Sequence, residues 1–73
     1  MIEDALLADA VDLVRTGRGR DLRERSGVTL EELAAAVGVP PVELMAWELG
    51  EREPRGPAAG DYVRVVRALS RRN

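Results

Sequence analysis

Apolar residues recur at three- and four-residue spacings along much of the chain, which is the period of amphipathic α-helices. In the first such stretch, Leu6, Ala10 and Val14 alternate with acidic residues, and Gly17 follows as a stop signal. We therefore predict an N-terminal amphipathic helix within residues 1–16. The shorter and mostly charged segment Arg18–Arg25 predicts a second helix.

A capping signal marks the start of a third predicted helix. Thr29 is followed three positions later by Glu32. The Thr29 hydroxyl can accept from the Glu32 amide while the Glu32 carboxylate reaches back to the Thr29 amide. Gly38 suits the left-handed residue that ends such a helix. Two prolines then preset the backbone for a fourth helix, predicted from Pro41 to Leu49.

The rest of the chain predicts one more helix. Glu51 to Gly56 forms a charged turn that contains Pro54, and a last helix follows over residues 57–70. No segment shows the alternation of a strand. A chain of 73 residues is long enough for one hydrophobic core. The expected fold class is therefore all-α, a single five-helix domain over residues 1–73 with a helix-turn-helix at 29–49.

Composition argues against several classes of function. The chain contains no cysteine and no histidine, so we expect no disulfide, no thiolate or imidazole metal site, and no cofactor. Its acids show no recognisable catalytic spacing, so we do not expect an enzyme. Neither a signal peptide nor a membrane span is recognisable, and we expect a cytoplasmic protein that is nucleoid-associated when bound.

The net charge of −2 hides a strong partition of charge along the chain. Residues 1–14 carry four acids, and residues 15–25 carry five arginines against two acids. Residues 26–54 carry one arginine against six acids, and residues 55–73 carry five arginines against one acid. Because phosphate neutralisation supplies much of the affinity for DNA, the acidic 26–54 segment is unusual for a DNA-binding domain.

Two helices joined by the turn Gly38-Val39-Pro40 have the helix-turn-helix pattern. The stretch from Thr29 to Pro40, the segment from Trp47 to Gly56, and Tyr62 together resemble the lambda-repressor and Cro-like (XRE) family of helix-turn-helix domains. The likeness extends over about Arg18 to Leu69 and is closest to short actinobacterial and actinophage forms. It implies a five-helix domain that binds double-stranded DNA, commonly as a homodimer on a two-fold operator. The implied role is transcription regulation or a phage DNA transaction.

Several residues of this pattern have structural interpretations. We predict that Ala34 allows a close helix crossing and that Val39 and Leu44 fill the core. Trp47 and Tyr62 are expected to form an aromatic pair with polar handles. Glu48 would repel phosphate if it faced DNA, so a salt bridge to an arginine of the second helix, Arg20 or Arg23, is its predicted role.

The candidate DNA contacts fall into two sets. The exposed positions of the fourth helix, which are expected to face base edges, are Pro41, Val42, Glu43, Met45 and Ala46. Most of them lack the hydrogen-bonding groups usual in the family, but the apolar side chains can pack on thymine methyl groups and the carboxylate can accept from a cytosine amine. The candidate phosphate contacts are Thr29, Arg18, Arg20, Arg52 and Arg55.

Two further expectations remain open. The missing base-contacting groups favour an alternative function, a protein-interaction module that presents an apolar and acidic helix formed by Val42, Glu43, Met45, Ala46 and Leu49. A homodimer would form through the first helix or through the Tyr62–Leu69 helix. The arginines of the last helix, Arg64, Arg67, Arg71 and Arg72, are expected to be solvated or to pair with the acidic first helix.

Overall fold

The computed structural model describes residues 2–72, and side chains from residue 5 onward. Within this range the chain forms five α-helices and no strand, which confirms the predicted all-α fold class. The helices are α1 (Ile2–Arg15), α2 (Arg18–Arg25), α3 (Leu30–Val37), α4 (Pro41–Glu48) and α5 (Gly56–Arg72). Met1 and Asn73 of the predicted domain lie outside the described residues, as do the side chains of residues 2–4 in the predicted first helix.

Three predicted helix ends, one of α4 and both of α5, were wrong by one or two residues. Helix α4 ends at Glu48, and Leu49 is its C-cap, whose amide donates to the Met45 carbonyl at 2.9 Å. Helix α5 begins at Gly56 and continues to Arg72, past the predicted stop at residue 70. No glycine or proline interrupts its last turn, and arginines there interact favourably with the negative end of the helix dipole.

The predicted cap of α3 is present in full. The Thr29 hydroxyl accepts from the Glu32 amide at 3.0 Å, and the Glu32 carboxylate accepts from the Thr29 amide at 2.8 Å. Gly38 ends the helix with a φ of 89°, a left-handed conformation that costs glycine little. Local sequence therefore defines both ends of α3.

One hydrophobic cluster joins α1, α3, α4 and α5. Its largest buried members are Trp47, Tyr62, Leu33 and Leu44, while Val39 packs against it half-buried. Pro54, which we predicted only as part of a charged turn, is also fully buried. The segment between α4 and α5 is therefore anchored to the rest of the protein by an apolar side chain.

Helices α1 and α5 lie side by side and point in the same direction. At their N-terminal halves, Leu6 lies against Gly60, where an added Cβ would approach its side chain to 3.3 Å. Further along, Arg67 donates to the Asp9 carboxylate, which confirms that an arginine of the last helix pairs with the acidic first helix. The C-terminal ends of α1 and α5 consequently lie at the same end of the protein.

Helix α2 approaches α5 closely at Gly19. A Cβ added at Gly19 would lie 1.9 Å from the Tyr62 hydroxyl oxygen, so only glycine fits this crossing without a shift. The Tyr62 hydroxyl is buried and has no hydrogen-bond partner within the described part of the chain.

Candidate DNA-binding surface

Helix α3 braces α4 through a tight turn. The amides of Gly38 and Val39 both donate to the Ala34 carbonyl, at 2.8 and 3.0 Å. Ala34 is fully buried, and Leu44 of α4 is likewise fully buried. The predicted packing roles of these residues are therefore present, and they hold α4 at a fixed position on the scaffold.

Helix α4 is apolar on both its inner and its outer faces. Leu44 and Trp47 point into the core, and the ring of Trp47 meets that of Tyr62 edge-on, with a centroid distance of 5.6 Å. On the outer face, Val42 is 70 % exposed, Met45 44 % and Leu49 56 %. Residues spaced by three and four positions share one helix face, so these three side chains form a continuous apolar stripe on the surface.

A bidentate ion pair fixes the C-terminal end of α4 against α2. The guanidinium of Arg23 donates from Nε and Nη2 to the Glu48 carboxylate, at 2.7 and 3.0 Å. Hydrogen bonding to Glu48 raises the pKa of Arg23 above its ordinary value. Of the two predicted partners for Glu48, Arg23 is therefore confirmed. Arg20 was wrong, because it pairs with Glu24 along its own helix at 3.1 Å.

The Glu43 carboxylate on the outer flank of α4 already has two partners. It accepts from the indole Nε1 of Trp47 at 3.1 Å and from Nη1 of Arg52 at 3.4 Å. Two predicted DNA contacts, Glu43 and Arg52, are thus brought together and bound to each other. The four-residue spacing of Glu43 and Trp47 was a signal for the first of these bonds, whereas nothing local indicated the second.

Two further predicted phosphate contacts lie on the surface near the two ends of the helix-turn-helix. The exposed Thr29 caps α3, where its hydroxyl oxygen accepts a backbone hydrogen bond, and its bonds to Glu32 lower the pKa of that carboxyl. Arg55, in the segment after α4, is exposed and forms no ion pair with any residue that the structure describes.

The remaining predicted phosphate contacts, Arg18 and Arg20, lie in the first turn of α2. At about 100° per residue, Arg20 is about 60° around α2 from Arg23, the residue that contacts α4, whereas Arg18 is about 140° away. Arg18 instead lines a groove with residues of α1 and α5, among them Asp12 and Ser70. The five candidates therefore do not form one ring around α4.

Comparison with known protein families identifies the family to which this five-helix fold belongs. The sequence model of the helix-turn-helix family matches residues 20–66. The chain belongs to the helix-turn-helix family. The match runs from α2 into α5, so this helix-turn-helix protein carries α1 outside the matched region. The family is a DNA-binding one. Neither a curated protein nor a solved structure matches the chain.

Other kinds of site find no support in the described residues. Within residues 2–72, no helix has the length and apolarity needed to cross a membrane. Among the side chains that the structure describes, from residue 5 to residue 72, no three acidic groups cluster in a way that could hold a metal ion. The outer face of α4 presents the exposed apolar side chains of Val42, Met45 and Leu49.

Proposed function

We propose that this helix-turn-helix protein is a regulator of transcription or of a phage DNA transaction and that α4 lies in the major groove of its operator. The observation that carries the proposal is the outer face of α4. Its Val42 and Met45 side chains are exposed on a helix that a capped α3 and the Arg23–Glu48 pair hold in place. A fixed helix of this width fits the major groove, where its N-terminal residues meet base edges.

The base contacts we propose are mostly apolar. Val42, Met45 and Ala46 would pack on thymine methyl groups, and Pro41 would lie beside them at the start of the helix. Glu43 would accept from a cytosine amine. Its two intramolecular hydrogen bonds leave lone pairs free, because a carboxylate has acceptor sites in excess of the two in use. The bond from Trp47 also holds that carboxylate in one orientation.

The phosphate contacts we propose come from the edges of α4. Thr29 can donate its hydroxyl proton, and Arg55 is unpaired among the described residues. Arg52 uses one N–H on Glu43 and keeps others for phosphate. Arg20 lies next to this surface. Arg18 faces away from α4 and could contact phosphate only outside the DNA segment that α4 covers.

A homodimer would bring two such surfaces onto a two-fold operator. Most apolar residues of the Tyr62–Leu69 helix are buried within the chain, and Val65 and Ala68 are half-buried, which leaves little of that face for a second copy. We therefore place the proposed dimer contact on α1, where Leu7 is 38 % exposed and Ala8 lies exposed beside it.

The test is a titration of the protein on genomic DNA fragments at two salt concentrations. We expect a complex whose affinity falls as salt rises, because each neutralised phosphate releases counterions. The double variant Val42→Ala/Met45→Ala should lose its preference for particular fragments. Leu49→Ala is the matched control, since it removes an apolar side chain that is 56 % exposed at the C-cap of α4. The absence of any salt-dependent complex at micromolar protein would refute the proposal.

One observation favours a second function, a protein-interaction module. The stripe of Val42, Met45 and Leu49 is broad and apolar, and acids flank it. In that case a protein partner would bind the stripe, and Leu49→Ala would weaken that complex as much as Val42→Ala does. Loss of DNA selectivity in the double variant, with Leu49→Ala unaffected, would rule against this alternative.

A further inference from the structure

The arginines of this protein divide into paired and unpaired sets. Six of the 11 form ion pairs with acids, namely Arg20, Arg23, Arg25, Arg52, Arg64 and Arg67. The other five make no ion pair with the described residues. One of these is Arg55, after α4, and the remaining four are Arg15, Arg18, Arg71 and Arg72.

These four arginines come from three helices whose ends meet. Arg18, at the start of α2, lines a groove with Ser70 of α5 and Asp12 of α1. Arg15 is in the last turn of α1, and Arg71 and Arg72 are in the last turn of α5. All four are exposed. We call this group, Arg15, Arg18, Arg71 and Arg72, the basic end.

The basic end carries an excess of positive charge that its surroundings do not neutralise. The neighbouring Arg67 and Asp9 cancel each other in their ion pair. Asp12 is the other acid of the groove and faces Arg18 there, while Arg15, Arg71 and Arg72 add three positive charges in the last turns of α1 and α5. By contrast, residues 29–55 carry six acids and two arginines. The positive charge of this protein is therefore concentrated away from α4.

Helix dipoles account for only part of this arrangement. Arg15, Arg71 and Arg72 lie at helix C-termini, where a cation is favoured, but Arg18 is the first residue of α2, where the dipole opposes a cation. Like charges brought together in this way repel one another. Such a cluster is expected where an anionic partner supplies the missing countercharge, and the planar guanidinium of arginine can bind phosphate in a bidentate manner.

We propose that the basic end is a second phosphate-binding surface, separate from α4, that contacts the backbone of duplex DNA. The proposal rests on the proposed function in that both surfaces bind DNA. Arg18 lies about 140° around α2 from the side that faces α4. The basic end therefore contacts phosphates beyond the segment under α4, either on a neighbouring turn of the same duplex or on a second duplex.

The experiment measures the salt dependence of DNA binding for two double variants that remove the same net charge. Arg71→Gln/Arg72→Gln changes the basic end, and Arg25→Gln/Arg64→Gln changes two arginines that are also exposed but are paired with acids. For each phosphate that the protein no longer neutralises, the slope of log affinity against log salt becomes shallower by about 0.9. We expect a decrease of about 1 to 2 in slope for the first variant, a further decrease when Arg15→Gln and Arg18→Gln are added, and little change for the control. Circular dichroism checks that each variant folds.

The outcomes separate this proposal from the proposed function. If the two double variants have equal slopes while Val42→Ala/Met45→Ala still loses selectivity, α4 binds DNA and the basic end does not. If the wild type forms no salt-dependent complex, both proposals fail. Energy transfer between two differently labelled duplexes shows which duplex supplies the phosphates that the basic end contacts. Transfer that depends on Arg71 and Arg72 indicates a second duplex. A change in the salt slope without energy transfer indicates the duplex that α4 already binds.

Discussion

The hydroxyl of Tyr62 offers a direct test of the core. Tyr62 is 0 % exposed, and its hydroxyl has no hydrogen-bond partner among the described residues. A buried hydroxyl without a partner costs about 1 to 3 kcal/mol. Tyr62→Phe removes that cost and gives up only the packing of the hydroxyl against Gly19. We expect the variant to be more stable by about 1 kcal/mol, which for a domain of this size raises Tm by about 4 to 8 °C.

The pH dependence of stability gives a second measure of the same group. Burial raises the pKa of Tyr62 to about 12, with a smaller contribution from Glu48. The ordinary pKa of tyrosine is near 10, so the folded state holds the phenol proton more tightly than the unfolded state does. Its contribution to the free energy of unfolding is complete below pH 10 and is lost as pH rises through 12. The loss amounts to about 3 kcal/mol at most. Urea unfolding followed by circular dichroism, from pH 8 to 12, should show this loss in the wild type and not in Tyr62→Phe.

The contact between Gly19 and Tyr62 extends the test to a double-mutant cycle. Alanine in a helix interior is favoured over glycine by about 1 kcal/mol. At Gly19, however, its Cβ would lie 1.9 Å from the Tyr62 hydroxyl oxygen and 3.0 Å from the ring carbon that carries it. Gly19→Ala should therefore destabilise the wild type by about 2 kcal/mol and cost at least about 1 kcal/mol less in Tyr62→Phe. Additive effects, or a Tyr62→Phe variant no more stable than the wild type, would refute the reasoning.

Three more substitutions probe other parts of the protein. Glu48→Gln removes the bidentate partner of the Arg23 guanidinium, 12 % exposed, and leaves it the longer contact with Glu24 at 3.9 Å, which should cost about 3 kcal/mol in urea unfolding. Thr29→Ala should cost about 1 kcal/mol. The backbone amide of residue 29, the largest cause of the lowered pKa of Glu32, is kept in this variant, so an NMR titration should show that pKa rising only part of the way to its ordinary value. Leu7→Asp on α1 should weaken self-association in sedimentation and leave the Tm within a few degrees, and an unchanged dimer would exclude this face.

Features that depend on neighbouring residues were predicted from sequence, and so were two contacts between helices, Arg23–Glu48 and Trp47–Tyr62. The cap formed by Thr29 and Glu32 and the glycine turn at Gly38 need only local hydrogen bonds, and both are present. The burial of Pro54 and the close approach at Gly19 were not predicted. Both depend on how distant helices pack, and neither residue has a local pattern that signals it.

The candidate site shows the same division. The exposure of Val42 and Met45 follows from their place on α4 opposite Leu44, so the outer face was predictable from helical period. The bond between Glu43 and Arg52 depends on the path of the chain after α4. Likewise, Arg18 lies near Ser70 only because α1, α2 and α5 meet at one end. A charge count by segment could show that few basic residues lie near α4 in the sequence. It could not show that arginines of α1, α2 and α5 lie at the same end of the protein.

The central claim is that the outer face of α4 contacts base edges, and selection of binding sites from a random pool of duplexes tests it most directly. We predict that the wild type and Leu49→Ala enrich the same motif. Val42→Ala/Met45→Ala should lose the preference for thymine at the contacted positions. Enrichment of no motif by the wild type, or of an unchanged motif by the double variant, would contradict the claim.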